Sequence, residues 1–201
     1  MERLAKENIN TPSEYERIYF ERQEKGIDEF DLKRWELLIK YYKYGKFVDL
    51  GCLDSLAAVM AYQKTKDEVW GIDFAKDSIE DMKKRHPGVL WHVGNVYDTK
   101  FPSDFFQYVV AGELIEHLEY PEKFLKEAFR ILKKKGILAL STPLNEKLGE
   151  VDAERHLWSF TIEDIKNLIS PYGKVKISLL KSRYFPYKYH HRNIIVYCKK
   201  I

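Results

Sequence analysis

Three acidic residues in this 201-residue chain stand at the ends of apolar runs. They are Asp49 in Phe47-Val48-Asp49-Leu50-Gly51, Asp73 closing Val69-Trp70-Gly71-Ile72-Asp73, and Glu113 after Tyr108-Val109-Val110-Ala111-Gly112. An acid at the carboxyl end of a buried strand faces the place where open α/β sheets bind ligands. Gly51 lets the backbone turn sharply and approach a ligand closely. A dinucleotide-binding loop would read G-x-G-x-x-G here, but Leu53 and Leu56 fill the two later positions. Asp49 and Asp54 would also repel a pyrophosphate, so this loop suits a ligand that carries positive charge. Asp73 lies at the next strand end, where an acid can accept hydrogen bonds from both hydroxyls of a ribose. Capping of the following helix is the competing role. In Gly94-Asn95-Val96 the Asn95 amide could read the edge of an adenine, or merely close a turn.

The elements that must position these residues alternate along the chain. Phe47–Leu50 reads as a buried strand and Ser55–Lys64 as a helix. Val69–Asp73 is a second strand, and Ser78–Arg85 a helix ended by His86-Pro87-Gly88. Val89–Val93 and Tyr108–Ala111 are further strands, the latter followed by a short helix over Leu114–Leu118. Pro121 suits a first helical residue, and Phe124, Leu125, Ala128, Ile131 and Leu132 repeat at helical spacing up to a stop at Gly136. Ile137–Leu140 is a fifth strand, and Thr161 caps another helix with Asp164 three residues on. Lys174–Leu180 and Asn193–Cys198 read as an antiparallel pair joined by a long aromatic loop. Strands alternating with helices give an α/β protein with a mostly parallel, doubly wound sheet. The first 46 residues read as helices, including Leu32–Tyr42. They form an N-terminal lid segment over a core of residues 47–201, the two making one domain.

Composition narrows the classes further. Hydrophobic residues make up 45% and aromatics 14%, which excludes a disordered chain. Two cysteines are too few for a disulfide framework or a cysteine-rich zinc site. No membrane span and no signal peptide are visible, so a cytoplasmic protein is expected. The net charge is +3, yet residues 165–201 carry nine Lys/Arg and no acid. That basic tail is a solvated surface or a face for an anionic partner.

The run of motifs resembles a known family, the class I S-adenosylmethionine (SAM)-dependent methyltransferases. The similarity is to the small-molecule branch that includes the ubiquinone- and menaquinone-biosynthesis type (methyltransferase type 11). It rests on Phe47–Cys52, Gly71-Ile72-Asp73, Gly94-Asn95-Val96, Phe105–Val110 and Glu113-Leu114-Ile115-Glu116-His117-Leu118. Pro121–Glu127, Lys134–Leu138, Ser141-Thr142-Pro143, His156 and Phe160-Thr161 continue it. SAM bears a sulfonium and an ammonium and no phosphate, which agrees with the acids of the first loop. The resemblance implies a Rossmann-like sheet of seven strands with an antiparallel last strand. It implies that Asp49, Gly51 and Cys52 hold the methionine end of SAM, that Asp73 binds the ribose, and that Phe74 lies against the adenine. Asn95 and Val96 would frame the adenine, and Glu113 would face the same site. The family loop usually reads Gly-x-Gly-x-Gly; here Leu53 and Ser55 stand at the later glycines.

The expected activity is methyl transfer to a small-molecule acceptor, with S-adenosyl-L-homocysteine as product. Arg34 could meet the SAM carboxylate. His117 is the candidate catalytic residue, as a general base or as a structural hydrogen-bonding histidine. His156 closes the pocket or packs. The stretch Arg183–Arg192 is rich in rings and positive charge, which predicts an aromatic or anionic acceptor beside it. His190-His191 lacks metal-ligand partners at diagnostic spacing, so no metal is expected. An RNA-directed methyltransferase using the basic C-terminal stretch, and a non-catalytic protein of the same fold, are the alternatives.

Overall fold

The computed structural model describes residues 1–147, 155–181 and 192–201. The chain opens with a two-residue strand β1 (Glu2–Arg3), then α1 (Pro12–Lys25) and α2 (Glu29–Leu38). Thr11 caps α1 ahead of Pro12, and Asp28 caps α2. The repeat that follows runs β2 (Phe47–Leu50), α3 (Ala57–Thr65), β3 (Val69–Asp73), α4 (Lys76–Arg85), β4 (Leu90–Val93), β5 (Phe106–Gly112) and α5 (Pro121–Ile131). A 3-10 turn, Ile115–His117, sits between β5 and α5. Then come β6 (Leu132–Pro143), β7 (Trp158–Ser159), α6 (Ile162–Ile169), β8 (Gly173–Lys181) and β9 (Arg192–Lys200).

Seven strands pair in the order β4-β3-β2-β5-β6-β9-β8. All neighbours are parallel except β9, which is antiparallel to both β6 and β8. The strand order reverses direction between β2 and β5, and that switch point opens a crevice at the carboxyl ends of the strands. The expected seven-stranded sheet with an antiparallel last strand is therefore present.

Two apolar layers cover the sheet. One is built by α5 and α6, with Phe124, Leu125, Ala128 and Ile165 packed on Val109, Leu138 and Val196. The other is built by α2, α3 and α4, with Trp35, Leu38, Ala58 and Ile79 against Phe47, Tyr108 and Val110. Tyr108 sends its hydroxyl across that second layer to the Leu38 carbonyl, 2.7 Å away. The α2 helix is thereby part of the core as well as of the segment that precedes it. No helix among the described residues is long and apolar enough to cross a membrane.

Three sequence expectations change. The helix after Pro121 ends at Ile131, not at Gly136, and Gly136 lies inside β6. A Cβ on Gly136 would come within 2.9 Å of the Gln107 carbonyl oxygen, so the glycine serves a close strand approach. The first 46 residues are not all helical, because β1 pairs with β7 in a small separate sheet. The helix expected over Leu32–Tyr42 starts earlier and ends earlier, at Glu29 and Leu38. By contrast Thr161 and Asp164 form the reciprocal capping box that their spacing suggests.

Glu127 of α5 ties the loop before β5 to the helix. Its Oε1 accepts from the Thr99 N–H at 2.8 Å and the Thr99 hydroxyl at 2.6 Å, while Arg130 Nε reaches Oε2 at 2.7 Å. Burial pushes this carboxyl up, but the bonds from Arg130 and Thr99 outweigh it and bring it down to about 2. A depressed folded value means that the ionised form stabilises the fold at neutral pH. That stability is lost as pH falls below the ordinary value of 4.5 toward 2. Replacing Glu127 by Gln should lower stability at pH 7 by about 1–3 kcal/mol and flatten the acid limb. Urea unfolding followed from pH 7 to pH 2 checks both effects; an unchanged acid limb would count against the assignment.

Candidate active site

A cavity of about 1040 Å³ lies at the carboxyl ends of β2, β3, β4 and β5, with α1 and α2 along one side. Gly51, Cys52, Asp73, Phe74, Asn95, Val96, Glu113, Arg34 and His117 all line it. These nine come from five stretches of chain, and the sheet brings them together. Asp49 is not in the wall. It is 1% exposed and sits beneath the loop, with Oδ2 bonded to nothing.

The loop after β2 shows how the two unusual residues are accommodated. Gly51 has φ +69°, and a Cβ there would fall 2.6 Å from Leu114 Cδ1. The N–H groups of Gly51 and Cys52 both donate to the Ile72 carbonyl, at 2.8 and 3.1 Å, so the turn folds back onto β3. Leu53 takes φ +36°, a region that glycine enters without cost. Its N–H donates to Asp73 Oδ2 at 2.9 Å. Ser55 replaces a glycine with a working side chain: its Oγ accepts from the Ala57 N–H at 3.1 Å, and its hydroxyl favours the ionised form of the nearby Asp49 carboxyl. The departure from the glycine-rich pattern is thus built into the start of α3.

Asp73 does two things at once. Its Oδ1 accepts from the Ala75 N–H at 2.9 Å, just ahead of α4, while Oδ2 holds Leu53. The N-cap of α4 is Ala75 and no side chain caps that helix, so Asp73 ties the two loops rather than capping; a carboxylate with about four acceptor positions keeps room for a ligand as well. Burial pushes Asp73 up to about 6 against the backbone N–H bonds that pull it down, and burial pushes Asp49 up to about 7. Phe74 is 37% exposed and turns its ring toward Tyr15, with centroids 5.4 Å apart. Asn95 Oδ1 accepts the Tyr97 N–H at 2.9 Å, which leaves its NH₂ for another partner.

Glu113 adopts φ +50°, strained for a non-glycine residue and frequent at functional positions. Ser141 Oγ donates to its Oε1 at 2.7 Å, and Asn193 Nδ2 to its Oε2 at 2.6 Å. Arg34 Nη1 lies 3.8 Å from Oε2, and Arg34 also pairs with Asp31. Arg34 Nε is buried with no partner. Arg22 bridges Asp54 at 2.6 Å and Asp31 at 2.9 Å, which completes a charge chain from α1 through α2 to the loop after β2. Neither Arg22 nor Asp31 was marked by the sequence. Only the Asp31 and Arg34 spacing of three residues on one helix face hinted at a pair.

The other end of the cavity collects His117, His156, Glu146 and Tyr15. His117 Nδ1 lies 3.2 Å from the Arg155 carbonyl oxygen, and its ring stands edge-on to His156 at 4.6 Å. Burial and the neighbouring His156 hold His117 neutral, down to about 3. His156 is paired with Glu146 and is raised to about 9, the carboxylates outweighing its burial. Burial pushes the Cys52 thiol well up, so it is no nucleophile. Residues 183–191 of the expected aromatic and basic acceptor border, including Tyr187, Lys188 and Tyr189, lie outside the described residues.

Residues 48–140 match the family described as a methyltransferase domain. That match, over just under half of the chain, agrees with the resemblance to SAM-dependent methyltransferases that the sequence motifs carry. Among curated relatives, a ubiquinone/menaquinone biosynthesis C-methyltransferase of Desulfotalea psychrophila is 30% identical over 95 residues, 46% of this chain and 39% of that protein. A demethylmenaquinone methyltransferase of Lysinibacillus sphaericus is 27% identical over 111 residues, 54% of this chain and 45% of that protein. The matched stretch thus spans less than half the length of these relatives. Among solved structures, a SAM-dependent methyltransferase of Thermotoga maritima superposes with a TM-score of 0.70 at 20% identity, covering 94% of this chain and 96% of that one. A phosphoethanolamine N-methyltransferase of Haemonchus contortus, solved with SAM, gives 0.68 at 15% identity over 85% of this chain and 53% of that one. These likenesses show the shared fold.

The Ser55 hydroxyl opens α3 by accepting the Ala57 N–H. Ser55→Ala should therefore cost about 1 kcal/mol of stability, read as a lower midpoint in urea. A variant as stable as the parent would show that the hydroxyl is idle.

Proposed function

We propose that this chain transfers the methyl group of SAM to a small-molecule acceptor and releases S-adenosyl-L-homocysteine. The observation that carries the reading is the set Asp73, Phe74, Asn95 and Val96 in one cavity wall, beside a floor of buried acids. Both Asp73 oxygens keep acceptor capacity for ribose hydroxyls after binding Leu53 and Ala75. Phe74 and Val96 offer apolar surface to the adenine, and the Asn95 NH₂ can donate to a ring nitrogen. The unpartnered Arg34 Nε suits the carboxylate of the methionine end, beside Gly51 and Cys52. Asp49 acts from below, through its charge. Bound SAM supplies a methyl group already activated by its sulfonium sulfur.

The chain's own contribution is then positioning and the exclusion of water. The N-terminal segment closes the rim beside His117: Asn10 Nδ2 donates to the carbonyls of His117 and Arg155, both at 3.1 Å. Leu4 N–H bonds the Leu157 carbonyl at 2.9 Å. A rim closed this way fits a metabolite better than a polymer, and the names of the curated relatives point the same way. His117 and His156 stand where an acceptor would enter, His117 as a neutral hydrogen-bonding ring. A proton has to be removed only if the acceptor atom is un-ionised at working pH.

Calorimetric titration with SAM tests the reading. Asp73→Asn loses the charge that ribose hydroxyls would use and one of the two backbone N–H bonds that the carboxylate accepts, so affinity should fall about 10–100-fold, the equivalent of about 1.5–3 kcal/mol. No uptake at millimolar SAM by well-folded parent protein would favour the non-catalytic alternative.

Affinity should also depend on pH. Asp73 and Asp49 are raised to about 6 and about 7 by burial, so part of each is protonated near neutrality. A cationic ligand favours the ionised forms, and its binding releases protons. Affinity therefore rises from about pH 5 to about pH 8 and then levels. A flat or falling profile, measured by calorimetry in buffers of different ionisation enthalpy, would contradict the buried-acid account.

A further inference from the structure

At the acceptor end of the cavity, three side chains from distant parts of the chain converge. Glu116 and His117 come from the turn after β5, and His156 from just before β7. One potential ligand atom from each lies within 4.8 Å of the other two. The separation of 40 residues between Glu116 and His156 hid this grouping from any reading of local spacing. The expectation of no metal rested on such spacing alone.

The surroundings of the three are those of a built site. Metal-binding histidines characteristically direct their second ring nitrogen to a carboxylate or a backbone carbonyl, which fixes the ring. Here His117 Nδ1 is on the Arg155 carbonyl at 3.2 Å, and His156 Nδ1 is on the Glu146 carboxylate. Each ring is thereby oriented, with its Nε2 left for another partner. Glu116 is fixed in the same manner: Oε2 accepts from the Thr142 hydroxyl at 3.0 Å. Its Oε1, in a side chain that is 0% exposed, has no partner at all. A fully buried carboxylate oxygen left unpaired is costly, and an ion is one way to satisfy it. No lysine or arginine bonds this carboxylate among the described residues.

We propose that Glu116, His117 and His156 bind one divalent first-row transition-metal ion, with Glu146, Thr142 and the Arg155 carbonyl orienting the ligands. Two imidazoles and one carboxylate form a mixed nitrogen and oxygen set, which suits Zn²⁺, Co²⁺ or Fe²⁺. Mg²⁺ and Ca²⁺ prefer oxygen ligands alone. Three protein ligands leave at least one position open, as in catalytic rather than structural sites. His117 and His156 line the cavity, so the open position faces the place assigned to the acceptor. A water, or an oxygen of the acceptor, completes the shell there.

The test needs neither SAM nor an acceptor, so its failure leaves the methyltransferase reading untouched. The full chain is stripped with EDTA and titrated with Zn²⁺ by calorimetry and with Co²⁺ by visible absorption. One ion per chain is expected, with Co²⁺ bands of low-coordinate intensity and no competition from excess Mg²⁺. Glu116→Gln, His117→Asn and His156→Asn should each weaken binding at least 10-fold, and Glu146→Gln should weaken it about 10–100-fold. Circular dichroism and thermal melting establish that each variant is folded. Should they unfold, NMR of the parent decides: of six histidines, only two should show Zn²⁺-shifted ring signals. Absent binding, binding indifferent to these substitutions, or shifts at other histidines would overturn the proposal. In that case the cluster is a plain Glu146–His156 ion pair beside a protonated Glu116.

Discussion

The carboxylate of Asp73 is the junction on which the rest of the site depends. It is 3% exposed and accepts one backbone N–H from the loop after β2 and one from the loop after β3. Two loops from adjacent parallel strands are thereby set at a fixed spacing by a single side chain. Their separation sets the spacing of Gly51 and Phe74 in the cavity wall. The geometry also explains why Leu53 tolerates a positive φ: its N–H is aimed at an ionisable oxygen, and a bond to a charged acceptor offsets local backbone strain.

A second pattern follows from burial. Asp49, Asp73, Glu113 and Glu116 crowd one end of the sheet, and Asp49 and Glu116 each keep an oxygen with no partner. In most proteins such groups are paired or absent. Here the fold holds Asp49, Asp73 and Glu116 dry, where burial works against their ionised forms. Free energy stored in this way is released when positive charge arrives, which makes the apo site selective by sign before it is selective by shape. Arg34, tied to Asp31 and close to Glu113, partly balances the field and keeps its Nε available.

Much of this was legible in the chain. Buried strands announced themselves as short apolar runs, and the acids at their ends could be placed because strand ends in an open sheet share one rim. The cap at Thr161 and the helix start at Pro121 were visible because they depend on neighbours three residues away or fewer. What escaped was non-local. Gly136 reads as a helix stop, yet its reason is the Gln107 carbonyl on a neighbouring strand. The pairing of β1 with β7 joins residues more than 150 positions apart. The Arg22 bridge and the His117–His156 contact likewise exist only after the sheet has formed, so no periodicity signals them.

The stitching of the N-terminal segment has a kinetic meaning. Residues 2–10 are held over the rim by a two-residue ladder with β7, the Leu4 bond, the Asn10 amide and an Arg3–Glu119 pair. The sheet beneath is fastened by seven strands and two apolar layers. The strap has few of the bonds that hold the sheet, so its release costs less than global unfolding. A spent, bulky ligand can then leave by a brief detachment of the first ten residues while the pocket floor keeps its shape. Traffic through the site becomes a property of a peripheral hinge, timed independently of the chemistry it serves.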